Sequence, residues 1–285
     1  MYAALPKTLV IGASGYIGRA MHQTARRAFP DAMGLTRNSV PLERPDLSIL
    51  GVEDMGYEWG IIAAAVPGLA HCEAFPQETR RCNVKGTLSL ARQLADLGIR
   101  PLWFSSDQVF DGTASPYADD APPSPVNEYG RQKAEVEANF QEASRGMGLI
   151  VRLSKVYDTT PGSGALLEGM LTTLRRGGVE RAAEDLVFCP THLDDVTACA
   201  FRLMARNESG IANVAAGPIS RLDLALMAAE AAGTDRNQVE PIHVADLKES
   251  FSRPGPVELL PSPKLAGYVF QDVRTSLARL TGRDA

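Results

Sequence analysis

The sequence of 285 residues predicts an α/β fold built on a doubly wound parallel sheet. Three observations carry that reading. Short apolar or β-branched runs alternate with longer amphipathic segments through the first half. These runs are apolar throughout, as strands covered on both faces require. A glycine-rich turn also follows the first run directly and opens the first helix.

Taken in order, Thr8–Ile11 is a buried-strand run, and residues 16–29 form the helix after the glycine turn. Residues 32–36 and 60–66 read as the second and third strands. A long helical stretch over 74–97 closes on Gly98, a suitable C-terminal cap. Residues 102–104 form the next strand, 129–144 a helix and 149–151 a further strand. Such alternation implies right-handed βαβ units and hence a Rossmann-type sheet. After Leu153 the rhythm loosens: 159–164 is turn-rich, and helices are expected at 166–176, Leu193–Ala205 and Arg221–Ala232. Pro254, Pro256, Pro261 and Pro263 break the last part into extended pieces. The expected organisation is a dinucleotide-binding domain over 1–153, completed by about 187–217, with a small interleaved substrate-binding lobe from 154–186 and 218–285. Such a lobe would cover the C-terminal edge of the sheet, where open α/β sheets bind ligands.

Composition removes several function classes. With 29 Lys and Arg against 34 Asp and Glu, the net charge of −5 lacks the cationic surplus that nucleic-acid binding draws on. An apolar content of 45% with 22% charged residues excludes a mostly disordered chain. Cys72, Cys82, Cys189 and Cys199 form no C-x-x-C pair and read as buried small hydrophobes in a reducing compartment. No basic-then-apolar leader opens the sequence, and the longest apolar stretch, 61–70, is too short to span a bilayer. A cytoplasmic protein without membrane contact is expected. Asp194 and Asp195 read as charges at a helix start rather than metal ligands, and His22, His71, His192 and His243 are scattered, so no metal is expected.

The turn Gly12-Ala13-Ser14-Gly15-Tyr16-Ile17-Gly18 has the spacing G-x-x-G-x-x-G. Glycines there permit a tight turn and close approach of backbone to a pyrophosphate, and the helix N-terminus offers free N–H groups to it. At the end of the second strand stands Thr36-Arg37-Asn38, without the acid that would grip a ribose 2′-hydroxyl. A guanidinium suits a 2′-phosphate, so NADP(H) is favoured over NAD(H). Downstream, Tyr129 is the one tyrosine with a lysine four residues later, which puts phenol and ammonium on one helix face. Ketone reduction needs a proton for the developing alkoxide, and the Lys133 ammonium would favour ionisation of the phenol that gives it. Ser106, at the preceding strand end, can fix the carbonyl by a hydrogen bond. Arg253, in the proline-rich segment, is a candidate for a substrate phosphate.

These pieces occur in a recognisable order: the glycine turn, Ala63-Ala64-Ala65, Asn83 in N-V-K-G-T, S-S-D-Q-V-F-D-G (105–112) and P-V-N-E-Y-G-R-Q-K (125–133). R-L-S-K-V-Y (152–157), P-T-H-L-D-D-V (190–196), G-I-A-N-V-A-A-G (210–217) and R-P-G-P-V-E-L (253–259) follow. The set, over about 7–265, resembles the extended short-chain dehydrogenase/reductases, and most of all the dTDP-4-dehydrorhamnose reductase (RmlD-like, sugar-nucleotide-binding) family. That resemblance implies an NADPH-dependent reductase of a 4-keto (deoxy)sugar nucleotide, with room for a homodimer. It makes Ser106 the residue that orients the carbonyl, Tyr129 the proton donor and Lys133 the holder of the nicotinamide ribose. Gly12, Ser14, Gly15, Tyr16, Ile17, Gly18, Thr36, Arg37 and the three alanines become cofactor contacts. Ser106, Asp107, Gln108, Lys155 and Arg253 become substrate contacts. Two positions depart from the family pattern: Gln108 replaces the tyrosine of S-T-D-Y-V-F, and Lys155 the tryptophan of R-T-S-W-V-Y. An epimerase on the same scaffold and a non-catalytic NADP-binding regulatory subunit are the alternatives. Dehydration is disfavoured, because the Gln108 amide cannot do a carboxylate's acid–base work.

Overall fold

Runs of residues that are apolar in sequence become the centre of a six-stranded parallel sheet in the computed structural model, which describes residues 5–160, 162 and 166–282. Residues 1–4 and part of the turn-rich 159–164 stretch lie outside the described residues. The strands are β1 (Thr8–Ile11), β2 (Gly34–Leu35), β3 (Trp59–Ile62), β4 (Arg100–Ser106), β5 (Leu149–Leu153) and, from the second half, one over Gly210–Val214. They lie in the order β2, β1, β3, β4, β5 and then Gly210–Val214. Because β2 and β3 flank β1 on opposite sides, the strand order reverses at the C-terminal end of β1, where the glycine turn lies.

Successive side chains of each strand point to opposite faces, and both faces are covered. Leu9, Ile11, Trp103 and Ile150 pack with Leu90 and Leu94 of α4 (Thr87–Asp96) and Val136 and Phe140 of α5 (Glu128–Ala143). Val10, Ile61, Leu102, Phe104 and Val151 face the other way, onto Met21 and Ala25 of α1 (Tyr16–Ala28) and onto a helix over Leu193–Ala205. Each such buried side chain contributes roughly 1.5–3 kcal/mol of transfer free energy. This two-sided burial is why the strands read as unbroken apolar runs.

Of the helix expected over 74–97, residues 76–96 run on without a gap as α3 (Pro76–Arg80), a π-helical turn at Arg81–Gly86 and α4, while a break at Phe75 sets off a separate α2 (Leu69–Ala74). Pro76 forces the break: the residue before a proline is driven out of the helical region, and Phe75 sits at φ −130°, ψ 59°. The strands at 32–36 and 60–66 are also shorter than expected. Thr36 turns away, its carbonyl accepting from Ser39 N and Val40 N, and beyond Ala63, whose N–H donates to Ile11 O at 2.8 Å, the chain leaves the ladder.

The second half adds β6 (Val156–Tyr157), α6 (Leu166–Arg175), β7 (Glu180–Ala183), β8 (Val187–Phe188), β9 (Thr191–His192), α7 (Leu193–Ala205), β10 (Gly210–Val214), β11 (Ile219–Ser220), α8 (Arg221–Ala232), β12 (Val239–Ile242) and α9 (Val273–Thr281). Elements α6, α8 and α9 share a core around Leu167, Met170, Leu171, Leu224 and Leu277. Asp195 anchors α7, accepting from Tyr268 Oη and Gln271 N, both at 2.8 Å. The proline-rich segment is laid against the sheet domain by backbone hydrogen bonds: Gly255 N donates to Asp111 O, and Val257 N to Val187 O. All four cysteines are buried and free.

Candidate active site

The glycine turn is shaped by one close approach. Gly12 has φ +93°, in the left-handed region that favours glycine, and a Cβ there would lie 2.5 Å from Ala64 N. A Cβ on Gly18 would lie 2.1 Å from Gly12 O, so that glycine seats α1 against the turn. The helix starts at Gly15 with no side-chain cap, leaving its first N–H groups available to an anion. Gly12, Ser14, Gly15, Thr36, Arg37, Ala63, Ala64 and Ala65 line one cavity of about 190 Å³. No carboxylate is within ion-pair distance of the Arg37 guanidinium among the described residues. Tyr16, Ile17 and Gly18 do not line this cavity: Ile17 packs into the core, and Gly18 is spent on helix packing. Glu43 shares the cavity with Arg37 and comes from an irregular segment without a readable period, so no motif signals it.

A second, larger cavity of about 440 Å³ opens at the C-terminal ends of β4 and β5 and gathers Ser106, Asp107, Gln108, Tyr129, Lys155 and Arg253. Ser106 closes β4 opposite Leu153 of β5, and its Oγ accepts from Gln108 N at 3.3 Å and donates to Asp107 Oδ1 at 3.1 Å. Asp107 is buried and also accepts from Ser154 Oγ at 2.6 Å and Gln108 Nε2 at 3.2 Å. Burial pushes its carboxyl above the ordinary range despite these donors. Gln108 bridges to α5, its Oε1 accepting from Asn127 Nδ2 at 3.0 Å, while Asn127 caps that helix through Gly130 N at 2.8 Å. The unfamiliar glutamine therefore joins the strand end to the helix that carries Tyr129.

On α5, Lys133 lies one turn beyond Tyr129, with Nζ 5.4 Å from the Tyr129 ring centroid. Lys133 is 5% exposed, donates from Nζ to Phe104 O at 2.7 Å and sits over the Trp103 ring. Burial lowers its pKa to about 7, against a smaller upward pull from Glu137 and Cys72. Burial also pushes the Tyr129 phenol up, helped by the charges of Cys72 and Asp107. Burial thus holds the resting phenol protonated. Lys133 itself lines neither cavity. Asn83, in the π-helical turn, ties the loop after β3 to α5: it accepts from Val66 N at 2.8 Å and donates to Gln132 Oε1 at 2.9 Å.

The larger cavity also contains Arg181, Arg221 and Glu249, which no motif signalled, because a long chain excursion brings them to the sheet edge. Among the described residues there is no group of three His, Cys, Asp or Glu that could hold a metal ion. No helix among them is long and apolar enough to cross a membrane.

The RmlD substrate binding domain model matches residues 6–278. The chain belongs to this family. It is 30% identical over 237 residues to a dTDP-4-keto-6-deoxy-D-glucose reductase of Streptomyces niveus, covering 82% of this chain and 81% of that one. It is 27% identical to the methionine adenosyltransferase 2 subunit beta of Xenopus laevis over 70% of this chain and 62% of that protein. For the Xenopus tropicalis subunit, at 29% identity, the match takes in 53% of this chain, which spans about half (47%) of the relative's length. Among solved structures, the dTDP-4-dehydrorhamnose reductase of Bacillus anthracis in complex with NADP superposes with a TM-score of 0.85 at 19% identity, covering 98% of this chain and 100% of that one. The Yersinia enterocolitica enzyme gives 0.83 at 21% identity, with 98% and 99% covered. At these identities the structural likeness speaks for the Rossmann-type fold.

Proposed function

We propose that this RmlD-family protein is an NADPH-dependent reductase of the extended short-chain dehydrogenase/reductase type, acting on the 4-keto group of a (deoxy)sugar nucleotide. The observation that carries the proposal is the convergence of Ser106 and Tyr129 on one cavity, with Lys133 one helical turn beneath the phenol. The Bacillus anthracis neighbour's NADP and the Streptomyces niveus relative's keto-sugar substrate support it. The residues present fit a dinucleotide: Gly12, Ser14 and Gly15 line the smaller cavity, and the uncapped start of α1 suits a pyrophosphate. Arg37, with no carboxylate in ion-pair distance among the described residues, suits a 2′-phosphate. In this reading Gly12, Ser14, Gly15, Thr36 and Ala63–Ala65 hold the cofactor, as do Tyr16, Ile17 and Gly18 through the backbone they position. The cofactor-domain and lobe division at 153, with its return at 187–217, is part of the same proposal.

When bound, the reduced nicotinamide supplies the hydride. Ser106 Oγ orients the substrate carbonyl, and the Tyr129 hydroxyl, kept neutral by burial, gives its proton to the oxygen as negative charge develops there. The Lys133 ammonium then stabilises the phenolate left behind, and it is close enough to do so across the 5.4 Å to the ring. Asp107 and Gln108 fix the strand end and helix start at the geometry this requires. The test is stoichiometry: a 4-keto sugar nucleotide with NADPH should give one reduced sugar for each NADPH consumed.

A second reading, a cofactor-binding regulatory subunit, is favoured by the similarity to methionine adenosyltransferase 2 subunit beta. It predicts NADPH binding with no consumption by any keto sugar nucleotide. Epimerisation predicts altered sugar with no net consumption.

A further inference from the structure

The cavity beside Ser106 and Tyr129 holds four cationic side chains, of which three have carboxylate partners. Arg221 donates to Glu180 at 2.5 Å, Arg253 donates to both oxygens of Glu249 at 2.5 and 2.6 Å, and Arg181 lies 3.7 Å from Glu240. Lys155 is the exception: among the described residues no carboxylate lies within ion-pair distance of its ammonium. Asp107 is the acid whose field it feels, but the Asp107 oxygens already accept from Ser106, Gln108 and Ser154. Burial lowers the Lys155 pKa, and the positive charges of Arg221 and Arg253 add to that, outweighing Asp107. The cavity wall is therefore short of negative charge at this one point.

The position matters as much as the charge. Lys155 follows Ser154, whose hydroxyl holds Asp107, and Leu153 just before it lies opposite Ser106 in the sheet. Lys155 thus leaves the sheet beside the strand end where the carbonyl would be held, whereas Arg181 and Arg221 come from β7 and α8. Guanidinium and ammonium groups both bind carboxylates and phosphates, so it is the place of Lys155, beside the carbonyl site at the strand end, that points to an anion carried by the sugar ring itself.

We infer that Lys155 selects a carboxylate borne by the sugar ring, so that the preferred substrate is a sugar nucleotide of the hexuronic-acid class rather than a neutral deoxysugar nucleotide. This rests on the sugar-nucleotide reading of the cavity. A charge-assisted hydrogen bond of the usual strength corresponds to roughly 10- to 100-fold in affinity.

The test is calorimetric titration of the NADP-saturated protein with the glucuronate and glucose forms of both UDP and dTDP. Wild-type protein should bind the glucuronate form about 10- to 100-fold more tightly than the glucose form of the same nucleotide. Lys155→Met should bring that ratio to about one, and Lys155→Arg should keep most of it. Equal affinities in the wild type, or a ratio unchanged in Lys155→Met, would overturn the assignment while leaving a sugar-nucleotide site intact. Binding of none of the four would overturn the sugar-nucleotide reading itself.

Discussion

The buried Lys133 makes a prediction about pH that differs from what a tyrosine-driven reduction would suggest. Burial holds the Tyr129 phenol protonated, so its own ionisation should not limit proton donation in the neutral range. Lys133, with its pKa lowered to about 7, loses its charge instead. Below that value the ammonium is in place to stabilise the phenolate; above it, the charged fraction falls tenfold per pH unit. At pH 9 about 1% of the ligand-free protein would retain the charge, two units above the lowered value. Reduction should accordingly lose roughly 100-fold in kcat/KM between pH 6 and 9, with kcat/KM for NADPH reporting the ionisation of the free enzyme. The assay is initial-rate loss of NADPH absorbance at subsaturating cofactor with the keto sugar nucleotide in excess. Lys133→Met should be slow at every pH and lack the alkaline limb. A wild-type profile that stays flat to pH 9, or the same limb in Lys133→Met, would refute the reasoning. Stability should move the other way. Between about 7 and the ordinary lysine value of 10.5 the unfolded chain binds more protons than the folded one, so this residue makes the ligand-free protein more stable as pH rises.

Other perturbations follow from the same contacts. Tyr129→Phe should cut reduction by about 10²- to 10⁴-fold while NADPH affinity, read by fluorescence titration, stays within several-fold. Arg37→Ala should weaken NADPH by roughly 10- to 100-fold and NADH far less; equal losses would remove the 2′-phosphate argument. Gly12→Ala combines left-handed backbone with a Cβ 2.5 Å from Ala64 N, and should cost about 2–5 kcal/mol in urea unfolding. Glu137→Ala strands the buried Arg152 guanidinium, which donates to Glu137 at 2.7 and 3.0 Å, and should cost about 3–5 kcal/mol; a loss under 1 kcal/mol would show the pair is not isolated from water.

What the sequence revealed depended on whether the signal was local. Leu193–Ala205 and Arg221–Ala232 are read correctly to the residue, because their caps are local: His192 and Ser220 accept from backbone N–H groups of the first turn. Ser106, Tyr129, Lys155 and Arg253 share one cavity as expected, since strand ends and the following helix start must meet at the sheet edge. The break at Phe75 was legible in principle, as Pro76 was in view, but the amphipathic period on both sides masked it. The π-helical turn that aims Asn83 at Val66 leaves no compositional trace. Glu43 and Arg221 reach their cavities through chain reversals that no window of neighbouring residues encodes.

In the proposed reaction hydride passes to the carbonyl carbon of a sugar nucleotide, with Tyr129 supplying the proton. The most direct measurement uses NADPH deuterated at the transferring C4 position, with the sugar product examined by mass spectrometry and NMR. The wild type should place one deuterium at sugar C4 for each NADPH oxidised, and Tyr129→Phe should be slower by at least about 100-fold. NADPH that binds but is never oxidised, or sugar that is converted without acquiring deuterium, would contradict this reaction.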